Sequence, residues 1–283
     1  MSINTALLNK ICTTPGAPGF EKKIRELVLQ EVKGLVDEIE IDNMGNVYAI
    51  KRGKGDKRVM IGAHMDEIGF MVTHIDDNGF IRFHTLGGFD PKTLTAQRVI
   101  IHGKKDIIGV MASKPIHVMT ADERNKVAKL SDYFIDTGLS VDEVKELVTI
   151  GDPVTREREF IEMGNCVNGK SLDNRLAVFI LIEMFRGLVG KTVPYDIYGV
   201  FTVQEEVGIR GANVSSMRIN PDFGFGLDTT IAFDLPGAAA HEKITELGKG
   251  TAIKIMDAST ICDYRMVDFM KKTADKYKIM WQP

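Results

Sequence analysis

Apolar residues recur along the chain at two spacings, one typical of helices and one typical of strands. Residues 19–35 place their apolar side chains on one helical face, which predicts an amphipathic helix. Residues 173–188 are apolar almost all round, which predicts a buried helix. Residues 259–278 predict another amphipathic helix, with Ser259 or Thr260 as its cap.

Short apolar runs that end in polar residues predict the strands. Residues 57–66, 196–204 and 221–228 are three such runs. The segments EIEID and VYAIKRG flank NMGN, which predicts a hairpin. Because these strands alternate with the predicted helices, we expect an α/β fold with a mostly parallel sheet sandwiched by helices.

Residues 67–161 interrupt this alternation. They contain short strands with Gly and Asp turns, together with one helical segment, SVDEVKELV, for which Ser140 is the predicted cap and Glu143 its capping-box partner. The α/β pattern resumes near residue 170. We therefore predict an α/β domain formed by residues 1–66 and 162–283, with a small β-barrel-like domain inserted at 67–161.

The composition excludes several classes of protein. The 283 residues are 44% hydrophobic and 27% charged with a formal net charge of −3, so we expect a globular protein without a nucleic-acid or membrane partner. The N-terminus has no signal-peptide pattern, and no run approaches the ~20 apolar residues of a membrane span. Three scattered cysteines without a CxxC pair indicate a reducing compartment, and we expect a cytoplasmic protein.

Side chains that can bind a metal lie at or just beyond the ends of the predicted strands, or begin a buried helix. They are His64, Asp66, Asp173, Glu205, Glu206 and Asp228. In open α/β sheets, sites form outside the carboxyl ends of the strands, so these groups can converge at one place. That much negative charge requires cations, and mixed histidine and carboxylate ligands suit zinc, cobalt or manganese better than calcium.

Several of these residues also have an ordinary structural interpretation. Asp173 is equally a good helix N-cap, and Asp228 could simply end a strand in a turn. Alternation along a strand places His64 and Asp66 on one side, where Asp66 can orient the imidazole. The adjacent glutamates that follow an apolar strand are the hardest to explain without a cation.

Four motifs resemble those of a known family. GAHMDEIGFMV, SLDNRLAVFILIEM, TVQEEVGIRGA and GLDTT followed by DLPG are similar to motifs of the dinuclear metallo-aminopeptidases related to glutamyl aminopeptidase. That family includes the tetrahedral aminopeptidases, and some of its members carry a cellulase or endoglucanase name. The similarity extends along nearly the whole chain, including IIGVMASKPIHVM and IGDPVT in the predicted insert.

The resemblance implies a phosphorylase/hydrolase-like catalytic domain and two divalent metal ions per subunit. His64, Asp173 and Asp228 would hold one ion, and Asp173 would bridge to a second ion that Glu206 also holds. Zinc is the first expectation, with cobalt or manganese as alternatives. The family also implies a homo-oligomer, from dimer to dodecamer, in which the inserted domain helps to assemble the subunits.

The implied activity is removal of N-terminal residues from peptide substrates by a water molecule that two metal ions activate. Glu205 would be the general base. Asp66 would also belong to the catalytic site, where it would orient a metal-binding side chain. We expect the two glutamates to point in different directions at the strand end, which permits these different roles.

One feature departs from the family pattern. In the family, the last ligand of the second metal is a histidine beyond an I-P-Y-Q-like stretch near the C-terminus. KIMWQP stands at that stretch here, and the 283 residues contain no matching histidine, which leads us to expect an incomplete second site. The alternative hypothesis is therefore a truncated, inactive family member with one metal site.

A glycosidase that uses Glu205 and Glu206 is a third hypothesis. It is disfavoured because a hydrolytic carboxylate pair must flank the scissile bond at about 5 Å or more, whereas neighbours on a strand point to opposite sides.

Overall fold

The computed structural model describes residues 3–283, which form two compact units. One unit ends at Asp228, and the other comprises Thr229–Pro283. The helices are α1 (Thr5–Thr13), α2 (Lys22–Val32), α3 (Ala121–Arg124), α4 (Val141–Leu147), α5 (Leu172–Leu188), α6 (Arg210–Ile219) and α7 (Tyr264–Lys276). None of the helices within 3–283 has the length and apolarity that a membrane span requires.

The strands follow one another in three groups along the chain. The first group is β1 (Glu38–Ile41), β2 (Val47–Lys51) and β3 (Arg58–His64). The second is β4 (Gly69–Ile75), β5 (Ile81–Leu86), β6 (Arg98–His102), β7 (Asp106–Ala112), β8 (Phe134–Asp136), β9 (Pro153–Arg156), β10 (Ile161–Met163) and β11 (Cys166–Asn168). The third is β12 (Asp196–Thr202), β13 (Phe223–Gly226), β14 (Thr251–Ala252) and β15 (Trp281–Gln282).

The main sheet has the strand order β1-β2-β12-β3-β13. β12 pairs in parallel with β3, and β3 pairs in parallel with β13, while β2 runs antiparallel to both of its neighbours. Four of the five strands therefore point in one direction. This arrangement confirms the predicted α/β fold with a mostly parallel sheet, and the β1–β2 pairing confirms the predicted hairpin.

Helices cover both faces of this sheet because its strands alternate their apolar side chains. Val47 and Ala49 of β2 pack on one face with α1, α2 and α5. Tyr48 and Ile50 pack on the other face, where Ile219 of α6 joins the same core. The predicted helices at 19–35 and 173–188 are confirmed as α2 and α5.

Six strands between β3 and α5 close into a barrel in the order β4-β5-β8-β7-β6-β9. Phe70, Val99, Ile101 and Val154 are among the buried residues that fill it. α4 begins with the predicted capping box, in which Ser140 and Glu143 each accept a hydrogen bond from the backbone N–H of the other. The barrel lies within residues 67–161, and the role of this segment in oligomerisation stays a prediction.

The unit Thr229–Pro283 contains α7 and the parallel pair β14–β15. The predicted cap at Ser259 or Thr260 is wrong. The backbone N–H groups of both residues donate to Asp257 Oδ1, at 2.8 and 2.7 Å, which holds them in a turn. Asp263 caps α7 instead, through its side chain.

Gly199 lets α5 lie close against the sheet. A Cβ atom at this position of β12 would lie 2.3 Å from Phe185 Cε2 and 3.2 Å from Leu181 Cδ1, both on α5. Phe185 is fully buried, so its ring has no room to move away. The absence of a side chain at Gly199 therefore sets the distance between helix and sheet.

Glu67 is fully buried just beyond β3, and its carboxylate binds the segment that leads into α5. Lys170 Nζ donates to both Glu67 oxygens at 2.6 and 2.8 Å, and Ser171 Oγ donates to Oε2 at 2.6 Å. Burial acts to raise the pKa of Glu67, but Lys170 and Arg175 hold it below its ordinary value. This charged cluster fixes the end of β3 relative to the start of α5.

Gly199→Ala is expected to lower the free energy of unfolding by about 1–3 kcal/mol, because the added methyl overpacks the sheet against α5. Urea denaturation measures the change. Gly224→Ala is the matched control in the same sheet, since a Cβ there meets nothing within 4 Å. Equal effects of the two substitutions would contradict this packing argument.

Lys170→Met is expected to lower the free energy of unfolding by about 3–5 kcal/mol, because it leaves a buried carboxylate without its main cation. Adding Glu67→Gln should recover part of that loss. Lys57→Met is the control, since Lys57 pairs with Asp222 at 3.8 Å near the surface, and such pairs contribute about 1 kcal/mol or less. A loss no larger than the control's would overturn the role of the pair.

Candidate metal centre

The structure brings the six predicted side chains together at one edge of the sheet. His64 ends β3 and Asp66 lies two residues beyond it, while Asp228 follows β13. The two glutamates follow β12, and Asp173 lies in the first turn of α5. The ends of three parallel strands and one helix therefore supply the groups.

Two groups of these side chains could each hold a metal ion. One comprises His64, Asp173 and Asp228, and the other comprises His64, Glu205 and Glu206. Within each group, the candidate ligand atoms lie within 4.8 Å of one another. His64 belongs to both groups, so the two candidate positions are adjacent. One imidazole with carboxylates is a donor set that suits zinc, cobalt or manganese.

The His64 imidazole is buried among carboxylates. Its Nε2 lies 3.1 Å from Asp173 Oδ1 and 3.8 Å from Glu205 Oε2, and its Nδ1 lies 3.2 Å from the Asp66 carbonyl oxygen. Burial acts to lower the pKa of His64, but the surrounding carboxylates outweigh it and raise the pKa to about 10. Without a metal ion, the imidazolium supplies positive charge at the centre of the cluster.

The two glutamates carry more negative charge than this imidazole can balance. Burial is the largest cause that raises the pKa of Glu206, to about 7, and neighbouring carboxylates add to it. Burial likewise raises the pKa of Glu205. A site whose carboxylates resist ionisation in the absence of a cation fits a divalent ion, which would favour their charged forms.

Asp66 positions the glutamates through their backbone, a role that the sequence did not reveal. Its fully buried carboxylate accepts a hydrogen bond from the Glu205 backbone N–H at 3.0 Å on Oδ1 and from the Glu206 N–H at 3.1 Å on Oδ2. Asp66 Oδ1 also lies 3.5 Å from His64 Nδ1. One carboxylate therefore sets the positions of three candidate ligand residues.

Two further side chains hold the residues just before the glutamates. Asn46 Oδ1 accepts a hydrogen bond from the Val203 backbone N–H at 3.0 Å, and Glu21 Oε1 accepts one from the Gln204 N–H at 3.1 Å. Both residues are buried. Four successive backbone N–H groups, from 203 to 206, are thus bound by side chains from other parts of the chain.

The strand predicted to precede the glutamates, residues 196–204, is longer than the strand in the structure. β12 ends at Thr202, and Gln204 takes a φ of +54°, which turns the chain away from an extended course. Strand alternation therefore does not separate the two glutamates, contrary to expectation. Glu205 and Glu206 both belong to the group formed around His64.

Asp173 faces the cluster rather than the backbone of its own helix. Its Oδ1 lies at hydrogen-bond distance from His64, and Ser171 stands at the cap position of α5. Asp173 and Asn174 both depart from helical φ and ψ. Asn174 Nδ2 donates to the Leu227 carbonyl at 2.8 Å, which holds the residue before Asp228.

Asp66→Ala is expected to weaken zinc binding by at least about 10-fold, because the amides of Glu205 and Glu206 lose their acceptor and both side chains become less ordered. Competition titration of the metal-free protein with a zinc chelator-dye measures the affinity. Asp77→Ala replaces an exposed aspartate and is the control. Unchanged zinc affinity in Asp66→Ala, with the fold intact by circular dichroism, would contradict this positioning role.

Comparison with known proteins identifies the family. The profile of the M42 glutamyl aminopeptidase family matches residues 45–283. A lysyl aminopeptidase of Pyrococcus furiosus is 35% identical over 292 residues, covering 99% of this chain and 80% of the relative.

Solved structures agree in fold over nearly all of the chain. A TET aminopeptidase from a marine sediment archaeon, Thaumarchaeota archaeon SCGC AB-539-E09, superposes with a TM-score of 0.95 at 34% identity, covering 98% of this chain and 79% of that one. A Pyrococcus horikoshii TET peptidase that can assemble into a tetrahedron or a large octahedral shell has a TM-score of 0.86 at 31% identity, covering 98% and 83%. The chain is a member of the M42 peptidase family.

Proposed function

We propose that this protein is a metal-dependent aminopeptidase that removes N-terminal residues from peptides. The observation that carries the proposal is the pair of adjacent ligand groups that share His64. M42 peptidases are metal-dependent, and the charge balance of these groups supports a divalent ion.

The proposed ligands are four of the converging side chains. His64, Asp173 and Asp228 would hold one ion, and Asp173 together with Glu206 would hold a second. Zinc fits this donor set best, and cobalt or manganese would also fit. When bound, such ions would lower the pKa of a shared water molecule and polarise the scissile carbonyl.

Glu205 is the proposed general base. Its side chain is about a third exposed, with Oε2 lying 3.8 Å from His64 Nε2, so the carboxylate can reach both the cluster and an incoming substrate. It would accept a proton from water and pass it to the leaving amine. Asp66 would keep the backbone of Glu205 in place during both transfers.

A glycosidase is less well supported. The candidate oxygens of Glu205 and Glu206 lie within 4.8 Å of each other and of the same imidazole. Carboxylates that hydrolyse a glycosidic bond flank it at about 5 Å or more, with the sugar between them.

We also propose that the protein works as a homo-oligomer, from dimer to dodecamer. The assembly of the related Pyrococcus horikoshii peptidase into a tetrahedron or an octahedral shell supports this proposal. Exposed apolar side chains on β7, Ile108 and Val110, lie on the barrel, which is the segment proposed to form subunit contacts.

Glu205→Gln is expected to keep its bound metal and to lose at least about 100-fold in kcat, because the general base is removed while the proposed ligands remain. Elemental analysis and hydrolysis of amino-acyl p-nitroanilides measure the two effects. Glu146→Gln, at an exposed position on α4, is the control.

The metal content of the unaltered protein separates the hypotheses. Two ions per chain with hydrolysis would support the dinuclear aminopeptidase. One ion without turnover would favour the alternative of an inactive chain with a single site. Finding neither metal nor hydrolysis under any condition would contradict the proposed function.

A further inference from the structure

Asn174 joins two candidate ligand residues that lie far apart in the sequence. It follows Asp173 directly, and it is only 1% exposed. Its Nδ2 donates to the Leu227 carbonyl oxygen at 2.8 Å, and Leu227 immediately precedes Asp228. One buried amide therefore links the turn that carries Asp173 to the segment that carries Asp228.

The Asp173 end of this link is anchored in the protein interior. Just before it, Lys170 binds both oxygens of the buried Glu67 carboxylate. Just after it, the fully buried Arg175 donates to two carbonyl oxygens near the end of α1, at 2.6 and 2.8 Å. The backbone on both sides of Asp173 and Asn174 is thus fixed by bonds to other segments.

The Asp228 end lies at the border of the main sheet. β13 is the last strand in the order of that sheet, where it pairs with β3. One residue beyond β13, the Leu227 N–H donates to the Gly62 carbonyl oxygen at 2.8 Å. Asn174 binds the carbonyl of the same residue, so Leu227 is attached both to the sheet and to the start of α5.

Stability alone does not explain an asparagine at this position. Because a carbonyl oxygen can only accept, the amide must direct Nδ2 to Leu227. Its buried Oδ1 then has no hydrogen-bond partner within residues 3–283. An unpaired buried oxygen costs free energy that an apolar side chain at this position would avoid. The bond to Leu227 is the contribution that such a side chain could not make.

We propose that Asn174 is a positioning residue that acts through Asp228. It holds the Asp228 carboxylate at the distance from Asp173 that binding of one ion requires, and this inference rests on the proposed metal-dependent function. Asp66 does the same for the two glutamates of the other ligand group, since its side chain also binds the backbone beside the ligands. The two ligand groups therefore have separate supports.

Two substitutions test the effect on metal binding. Asn174→Leu removes the donor and keeps a branched side chain, and Asn174→Ala removes it without added bulk. Each is expected to weaken zinc binding by at least about 10-fold in a competition titration with a chelator-dye, because the Asp228 carboxylate becomes less ordered. Asn213→Leu and Asn213→Ala, at an exposed position of α6, are the matched controls. Unchanged zinc affinity in both Asn174 variants would overturn the inference.

Combined substitutions test whether the effect passes through Asp228. In an Asp228→Ala background, adding Asn174→Ala is expected to change zinc affinity by less than about 2-fold, because the side chain that it positions is gone. In a Glu206→Ala background, the same substitution should keep its full effect. Equal losses in the two backgrounds would indicate a general disturbance of the fold and would overturn the proposed route.

Hydrogen exchange of the metal-free protein gives an answer that does not depend on metal binding. The Leu227 amide is expected to exchange at least about 10-fold faster in Asn174→Ala, because its segment loses one of two attachments. The Met65 amide, which donates to the Thr202 carbonyl oxygen at 2.8 Å, should keep its rate. Unchanged exchange at Leu227 would also contradict the positioning role. Faster exchange in a protein that binds no zinc would overturn the proposed function, whereas the positioning of Asp228 would stand.

Discussion

The Asp66 carboxylate, hydrogen-bonded to two consecutive backbone amides, is the interaction on which the candidate site depends. It turns the segment after β12 from a continuing strand into a fixed turn that presents Glu205 and Glu206 to His64. Asn46 and Glu21 accept hydrogen bonds from the two preceding amides in the same way. Four successive backbone N–H groups therefore have side-chain acceptors in place of a partner strand. The glutamates are therefore held through their main chain, and their side chains remain available for chemistry.

Two neighbouring acidic clusters differ in the source of the positive charge that balances them. Glu67 is completely buried, yet Lys170 and Arg175 keep its pKa below the ordinary value. The protonated His64 imidazole attracts Glu206, yet burial and neighbouring carboxylates raise the pKa of Glu206 to about 7. The first cluster is complete within the chain, whereas the second fits a ligand that brings its own positive charge. The contrast distinguishes a structural ion pair from a candidate metal site.

The arrangement of strands, and the edge at which the candidate groups meet, were predictable from local patterns. Apolar runs that end in His64 and Asp228 belong to parallel strands, and such strands bring their carboxyl ends together. The turn at Gln204 was not predictable, because Val203 continues the apolar pattern of β12. Asn46 stood in a sequence that reads as a hairpin turn, and its bond to Val203 spans 157 positions. Contacts between distant segments leave no periodic signal.

The Glu67–Lys170 cluster holds the frame of the candidate site together without the help of a metal ion. It joins the strand that carries His64 to the helix that carries Asp173 by bonds that lie wholly within the polypeptide. Small zinc domains, by contrast, fold only when the ion binds. Here the bonds that hold the end of β3 to the start of α5 are made by protein groups alone. The frame of the candidate site and the binding of an ion to it are thus separate structural requirements.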